Sequence, residues 1–411
     1  MSAPRHIAII APPTPGHLNP LQVLGSALTT HGYRVTVVHL ADVARFVTMP
    51  GIGFAGLEAA SARTVSIDAY LAKLADPTGP VGLTRMIRST AAMTAMLLDG
   101  APDVLRAIGV DAVIADSAEP AGALIAQRLG VPHVVSITGL PLLREPNVPP
   151  PFLGWRYRPD RIGRFRNHGG YFVSDLLLRP ITQVIEARRR AWKLDARATA
   201  PERLTIAQCP QALDYPRSAS IVYGGPWRAE VDAPIDLPSD GRPLVFCSLG
   251  TLQGGRRGLF ATMAQACAAI GARAVIAHGG GLSAAEESEL PGDPLVRAFW
   301  PQEAVLRQCS AAVLHGGFNS VIDALAAGVP IVALPIAFEQ PGTAARLVRV
   351  GAGRAVSPRG LTVRRLAAAL TDVMQGAGYR AAAARLATEM LSAGGAAEAA
   401  TRIDAAISTP D

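Results

Sequence analysis

Short apolar runs alternate with amphipathic segments along the chain. Residues His6 to Ala11, Arg34 to Leu40, Ala112 to Ala115, Val131 to Ser136, Leu244 to Leu249, Arg273 to Ala277, Ala311 to Leu314 and Pro330 to Pro335 read as buried strands. Helical spacing fills the intervals. Asn19-Pro20 opens a helix with Leu21, Leu24 and Leu28 on one face, and Gly32 ends it. Further helices are expected over 68–98, near 344–350 and 363–374, and over 396–407. Strand, helix and strand in succession predict parallel pairing through crossovers. The fold class is therefore α/β, in two similar halves facing across a cleft. Gly224-Gly225-Pro226, Pro234, Pro238 and Gly241 mark a break. The expected organisation is a first domain over 1–225, a linker over 226–242, a second domain over 243–390 and a terminal segment over 391–411.

The densest candidate chemistry lies between Phe299 and Gln340. A buried strand runs into His315-Gly316-Gly317, and Asn319-Ser320 is expected to cap the helix that follows. A helix start at the carboxyl edge of a parallel sheet gathers unpaired N–H groups and the positive end of the helix dipole, which suits a diphosphate. His315, Asn319 and Ser320 add side-chain donors, and glycines such as Gly317 let the backbone come close. Asp323, one turn on, suits ribose hydroxyls, and Glu339-Gln340 suits sugar hydroxyls. Phe299, Trp300 and Gln302 suit a base, by stacking and by its edge. Neighbouring strand residues point to opposite faces, so only one of the two aromatic rings is expected to stack.

Composition narrows the class. At 49% hydrophobic and 17% charged residues, the chain describes a well-buried globular protein. Its four cysteines have neither CxxC nor zinc spacing and read as buried thiols of a reducing cytosol. The apolar run near the N-terminus is too short for a signal segment, and none approaches a membrane span, so a cytosolic protein is expected, free or peripheral at the inner membrane face. The net charge of +7 is concentrated: residues 144–193 hold eleven basic against four acidic side chains. That stretch reads either as a solvated face or as a contact for an anionic membrane; without a recognition module beside it, nucleic acid is not expected. A nicotinamide-type dehydrogenase is disfavoured because no G-x-G-x-x-G follows the first strand.

The residues from Phe299 to Gln340 resemble the nucleotide-sugar signature of the family-one, UDP-glucose-type glycosyltransferases: W-x-P-Q, H-x-G-x-N-S-x-x-E, then D/E-Q. Phe299 stands in the usual tryptophan slot and Asp323 in place of glutamate. The resemblance implies the GT-B architecture of two Rossmann-like domains, with a terminal helix crossing back to the first. It also implies an inverting hexosyltransferase using a UDP-sugar co-substrate, with no cofactor. Gly16-His17 with Asn19-Pro20 is similar to the catalytic motif of that family, which makes His17 the general base in a loop after the first strand. Asp116, or less directly Glu119, would hold its other nitrogen. The Gly250-Thr251 turn would join the helix start in stabilising the leaving diphosphate, and with no DxD pair in the signature a metal is not required.

Within that family the chain looks most like bacterial carotenoid (zeaxanthin) glucosyltransferases. The likeness rests on Ser248 to Gly254, Ala277-His278, Leu140 to Leu142, Arg144 to Pro146 and Phe338 to Pro341. It implies a lipophilic acceptor, whose pocket is expected in an irregular stretch from Pro141 to Pro180 rich in aromatics. Met86, Met93 and Met96 are either core or a mouldable ligand face. A macrolide, polyketide or sterol glycosyltransferase would share the donor signature. A nucleotide-sugar epimerase would share only the fold, and a non-catalytic sugar-binding protein is expected to lack the base.

Overall fold

The computed structural model describes residues 5–57, 66–77, 79–195, 202–229, 235–238 and 240–409. Linker residues 230–234 and 239, Pro234 among them, lie outside that set, as do 410–411 of the terminal segment. The first half holds seven strands: β1 (His6–Ile10), β2 (Arg34–Leu40), β3 (Ile52–Leu57), β4 (Ala112–Asp116), β5 (His133–Ile137), β6 (Glu202–Ala207) and β7 (Val222–Tyr223). Its helices are α1 (Pro15–Thr30), α2 (Ile67–Ala75), α3 (Gly79–Ala107), α4 (Ala121–Leu129) and α5 (Arg161–Ala191). The second half holds β8 (Leu244–Ser248), β9 (Arg273–Ala277), β10 (Leu295–Arg297), β11 (Cys309–Leu314), β12 (Ile331–Ala333) and β13 (Gly353–Ala355). Between and after them lie α6 (Arg257–Ala269), α7 (Ala284–Ser288), α8 (Gln302–Leu306), α9 (Phe318–Ala326), α10 (Gln340–Arg349), α11 (Val363–Gln375), α12 (Ala377–Ser392) and α13 (Gly395–Ser408).

Both sheets are parallel and share one strand logic, β3-β2-β1-β4-β5-β6-β7 and β10-β9-β8-β11-β12-β13. In each, the order reverses beside the first strand, where Ile10 pairs with Ala115 and Ser248 with Leu314. Two Rossmann-like domains therefore present their switch-point crevices, the place such sheets bind ligands. Every residue of β1 and β4 is buried, as expected of strands with helices on both faces. Met93 and Met96 are core residues, and all four cysteines are buried and free. Ala399, Ala400 and Ile403 of α13 lie in the same apolar cluster as β1 and β4, and Asp404 accepts a 2.7 Å bond from the Tyr33 hydroxyl.

Three elements differ from expectation. Helix α1 starts at Pro15, not at Asn19, because Thr14 is extended and Pro15 supplies the preset φ of a first helical position. Pro20 thus lies inside the helix. The helix expected over 68–98 is two, parted near Pro77. The irregular stretch 141–180 gives way at Asp160, whose side chain accepts from Gly163 N at 2.7 Å, to the 31-residue helix α5. Gly169, Gly170 and Pro180 disfavour a helix locally. Gly170 is nonetheless useful, because a Cβ there would come within 2.9 Å of the Trp155 ring.

A buried ion cluster joins the halves. Asp214, after β6, accepts from Arg346 of α10 at 3.0 Å and from Arg217 at 2.5 Å, with all three side chains at most 2% exposed. Burial alone would raise the Asp214 carboxyl, but the two guanidiniums outweigh it and hold it below the ordinary value. Arg346 also lies 4.0 Å over the Tyr215 ring. Removing the shared carboxylate strands two buried cations, so Asp214→Ala is expected to cost about 3–5 kcal/mol, read as a lower midpoint in urea unfolding.

Candidate active site

His17 is the third residue of α1, in the turn that leaves β1 at the switch point of the first sheet. Its Nδ1 lies 3.1 Å from Asp116 Oδ2, at the end of β4, and 2.8 Å from Thr138 Oγ1, just beyond β5. The Thr138 hydroxyl itself donates to Asp116. Asp116 is fully buried, and its second oxygen accepts from Ala118 N at 2.8 Å. A carboxylate only accepts, so Nδ1 carries the proton and Nε2 is left as the basic nitrogen. Burial pulls the imidazole pKa down, yet Asp116 foremost, then Glu339 and Glu119, outweigh it and raise it above the ordinary 6.5. Glu119 does not replace Asp116. It is bound to the Thr94 hydroxyl and Ala121 N, and burial pushes its carboxyl up to about 7.

In the second half, β11 ends in His315-Gly316-Gly317 and α9 begins. Helix α9 starts one residue before Asn319, with Gly317 at the cap position and no capping side chain, so its first N–H groups remain unmet by any cap. The His315 ring is wedged between glycines: a Cβ at Gly317 would come 2.2 Å from Nε2 and one at Gly250 2.8 Å from Cε1. Gly250, at φ +70°, could not take a side chain without strain in any case. Burial lowers the His315 pKa to about 4, so the imidazole is neutral at pH 7.

The two crevices meet. Asn319 Nδ2 donates to the Gly16 carbonyl at 2.6 Å, next to His17. That carbonyl is four residues before Pro20, which has no N–H to offer it. Glu339, at the start of α10, is close enough to His17 to act on its charge. The chain leading into the expected acceptor stretch borders this crevice, since a Cβ at Gly139 would lie 4.0 Å from the His17 ring; within the stretch, the Pro151 carbonyl abuts Gly342 of α10.

Comparison with known proteins places the chain in a family. Residues 262–406 match the family described as erythromycin biosynthesis protein CIII-like, C-terminal domain. The zeaxanthin glucosyltransferase of Pantoea ananas is 34% identical over 418 residues, covering 98% of this chain and 96% of that one. The chain belongs to the GT-B glycosyltransferases. A second zeaxanthin glucosyltransferase, from Pseudescherichia vulneris, is also 34% identical, covering 98% of each chain. The crystal structure of the kitacinnamycin glycosyltransferase superposes with a TM-score of 0.76 at 22% identity, covering 99% of this chain and 100% of that one.

Several expected donor contacts of the glycosyltransferase serve the protein itself. Asn319, expected at the diphosphate, spends its amide on Gly16 and its oxygen on Gln208 and Arg228, at 2.8 and 3.0 Å. Gln302, expected at the base edge, donates to Asp323 at 2.6 Å. Asp323 is 9% exposed and also holds Arg228 at 2.6 Å, leaving it two of a carboxylate's roughly four lone-pair sites. The Gln340 oxygen accepts from Ile336 and Ala337 N, both at 2.8 Å, so only its amide N–H groups are spare. Of the aromatic pair, Trp300 is fixed by its indole N–H on the Ile276 carbonyl at 3.0 Å, whereas Phe299 is 66% exposed. Thr251 is exposed beside Gly250, and Ser320 is half-buried in the first turn of α9.

The acceptor stretch divides. Phe165 and Phe172 point to solvent. A cavity of about 600 Å³ lies between α2 and α3, bordered by Lys73, Val81, Thr84, Arg85 and Arg88.

Sequence reasoning missed Thr138, Gln208 and Arg228. Each follows a strand or sits in the linker without a motif, and each acts on partners more than ninety residues away or on a neighbouring strand. Arg228→Met should leave the Asp323 carboxylate with one partner and cost about 1.5–3 kcal/mol, the value of a hydrogen bond to a charged group, measured by urea unfolding against wild type.

Proposed function

We propose that the glycosyltransferase moves a hexose, glucose, from a UDP-sugar to a hydroxyl of a lipophilic acceptor, a carotenoid such as zeaxanthin, with inversion at the anomeric carbon. One observation carries this reading: the His17–Asp116 pair of one half and the uncapped start of α9 in the other share a crevice, tied by Asn319 to Gly16. Nε2 of His17 takes the acceptor's hydroxyl proton. The oxygen then bonds to the anomeric carbon as the bond from that carbon to the diphosphate breaks on the opposite side. Asp116 and Thr138 hold the ring and stabilise the imidazolium that forms.

The departing charge falls to the α9 N–H groups, to neutral His315, to Ser320 and to Thr251, all preorganised donors that need not turn round during the reaction. This route assigns no step to a metal ion. Phe299 offers its free ring to the base. Asp323, held by Arg228 and Gln302, keeps lone pairs for two ribose hydroxyls, which favours a uridine over a thymidine donor. Glu339 and the Gln340 amide take the hexose hydroxyls. The acceptor assignment is supported by the full-length likeness to two enzymes named for zeaxanthin.

Four measurements test the reading. His17→Gln should lower turnover about 10²- to 10⁴-fold while calorimetric UDP binding is kept; a variant as fast as wild type overturns the base assignment. Because the carboxylates favour the imidazolium, kcat/KM should fall as pH drops through a value above 6.5. Asp116→Asn removes the largest upward push, so that limb should move to lower pH. Gly317→Ala pushes the His315 ring aside and should weaken UDP binding by roughly tenfold or more, the worth of one charge-assisted hydrogen bond. Products from UDP-glucose with a panel of zeaxanthin, sterols and macrolactones, read by mass, decide the acceptor.

A further inference from the structure

Seven of the eleven exposed large apolar side chains among the described residues fall between Phe152 and Leu177, and six of those are on α5. Ile162, Phe165, Phe172, Val173, Leu176 and Leu177 recur at three- and four-residue steps, so they form one stripe along the helix. Phe165 is 80% exposed and Phe172 67%. The buried side of the helix is separate: Gly163, Asn167, Gly170 and Tyr171 face the protein, with Asn167 Nδ2 on the Pro146 carbonyl at 3.0 Å. Exposed Arg161, Arg164 and Arg179 step along the flank of the stripe. A helix with an anchored face, an outward aromatic and aliphatic face and a flank of arginines has the layout of an interfacial helix on anionic lipid.

The position of the helix matters as much as its chemistry. The chain from β5 passes His17 at Gly139, meets α10 where Pro151 abuts Gly342 and Gly154 abuts Pro341, and then enters α5. Arg144 links this segment to α5, pairing with Asp175 at 2.7 Å and lying 4.6 Å over the Tyr171 ring. The stripe is thus mounted on the segment that borders the crevice. The wider basic stretch contributes less than its count implies, because Arg188 is paired with Asp99 and Arg189 with Glu186.

We propose that the α5 stripe lies in the interfacial layer of an anionic bilayer, so that a lipid-dissolved acceptor reaches His17 along the 139–154 segment. The proposal deepens the lipophilic-acceptor reading and names its partner surface. Flotation with vesicles of phosphatidylglycerol and phosphatidylcholine in equal parts tests it. The wild-type protein should float with these vesicles, less with phosphatidylcholine alone, and less in high salt. Phe165→Ser/Phe172→Ser should weaken binding by roughly tenfold per ring withdrawn. The same double variant should keep turnover with zeaxanthin in detergent micelles and lose it with zeaxanthin in vesicles.

Equal flotation of variant and wild type overturns the proposal. So does a wild-type protein that stays with the soluble fraction, or a sedimentation-velocity dimer that the double variant splits, which would assign the stripe to a second copy. Flotation that depends on the two rings, in an enzyme that never glucosylates zeaxanthin, would sink the acceptor reading and leave the docking surface standing.

Discussion

The separation of the two halves is set at Asn319. A side chain this short reaches the Gly16 carbonyl with its amide and Gln208 and Arg228 with its oxygen only when the first turns of α1 and α9 stand at one distance. The Gly16 carbonyl is open to this donor because Pro20 cannot return the usual helical bond. From Asn319 the chain of bonds runs on through Gln208, buried at the end of β6, and Arg228 to Asp323 and Gln302. One polar seam therefore connects the helix that carries His17 to the groups proposed for the ribose. A change in any member alters the spacing between the proposed proton acceptor and the proposed leaving-group site, on which near-attack geometry would depend.

The two histidines at this seam are driven in opposite directions by the same burial. Desolvation disfavours the charged imidazole at both positions. At His315 little opposes it, the ring stays neutral, and a neutral ring with one N–H is a donor that neither competes for the proton nor adds fixed charge. At His17 three carboxylates surround the ring and reverse the sign. Glu119 belongs to this balance although it does not touch His17: with its own pKa about 7, it carries only part of a charge near neutrality, so the push on His17 strengthens as pH rises. The proposed base is most strongly supported in the range where it would also have to be unprotonated.

Much of the fold was legible in the sequence because buried parallel strands are short, apolar and bounded by turn residues. Arg34 to Leu40 and Arg273 to Ala277 have the strand limits read from their patterns. The switch-point placement of His17, Asp116 and His315 was legible for the same reason, since each stands at the end of a readable strand or just beyond it. What escaped was structure that depends on distant partners. Helix α5 contains Gly169, Gly170 and Pro180, which argue locally for a loop, and it forms because its other face is anchored by Asn167 and Tyr171. β3 has glycine at two of its six positions, and β6 opens on the charged Glu202 and Arg203, so neither announces itself.

The site residues divide along the same line. A motif marks which side chains are present but not what they bind, and at Asn319, Gln302 and Gln340 the nearest partner is the protein. A side chain satisfied internally is held in one rotamer, and rigidity there sets the position of backbone N–H groups that have no such partner. The uncapped N–H groups of α9 gain from this: they are fixed by the Asn319 bonds yet left without a side-chain cap. The internal bonds of Asn319 thus preorganise the helix start, since donors proposed to meet a departing diphosphate without reorienting are best held by fixed neighbours.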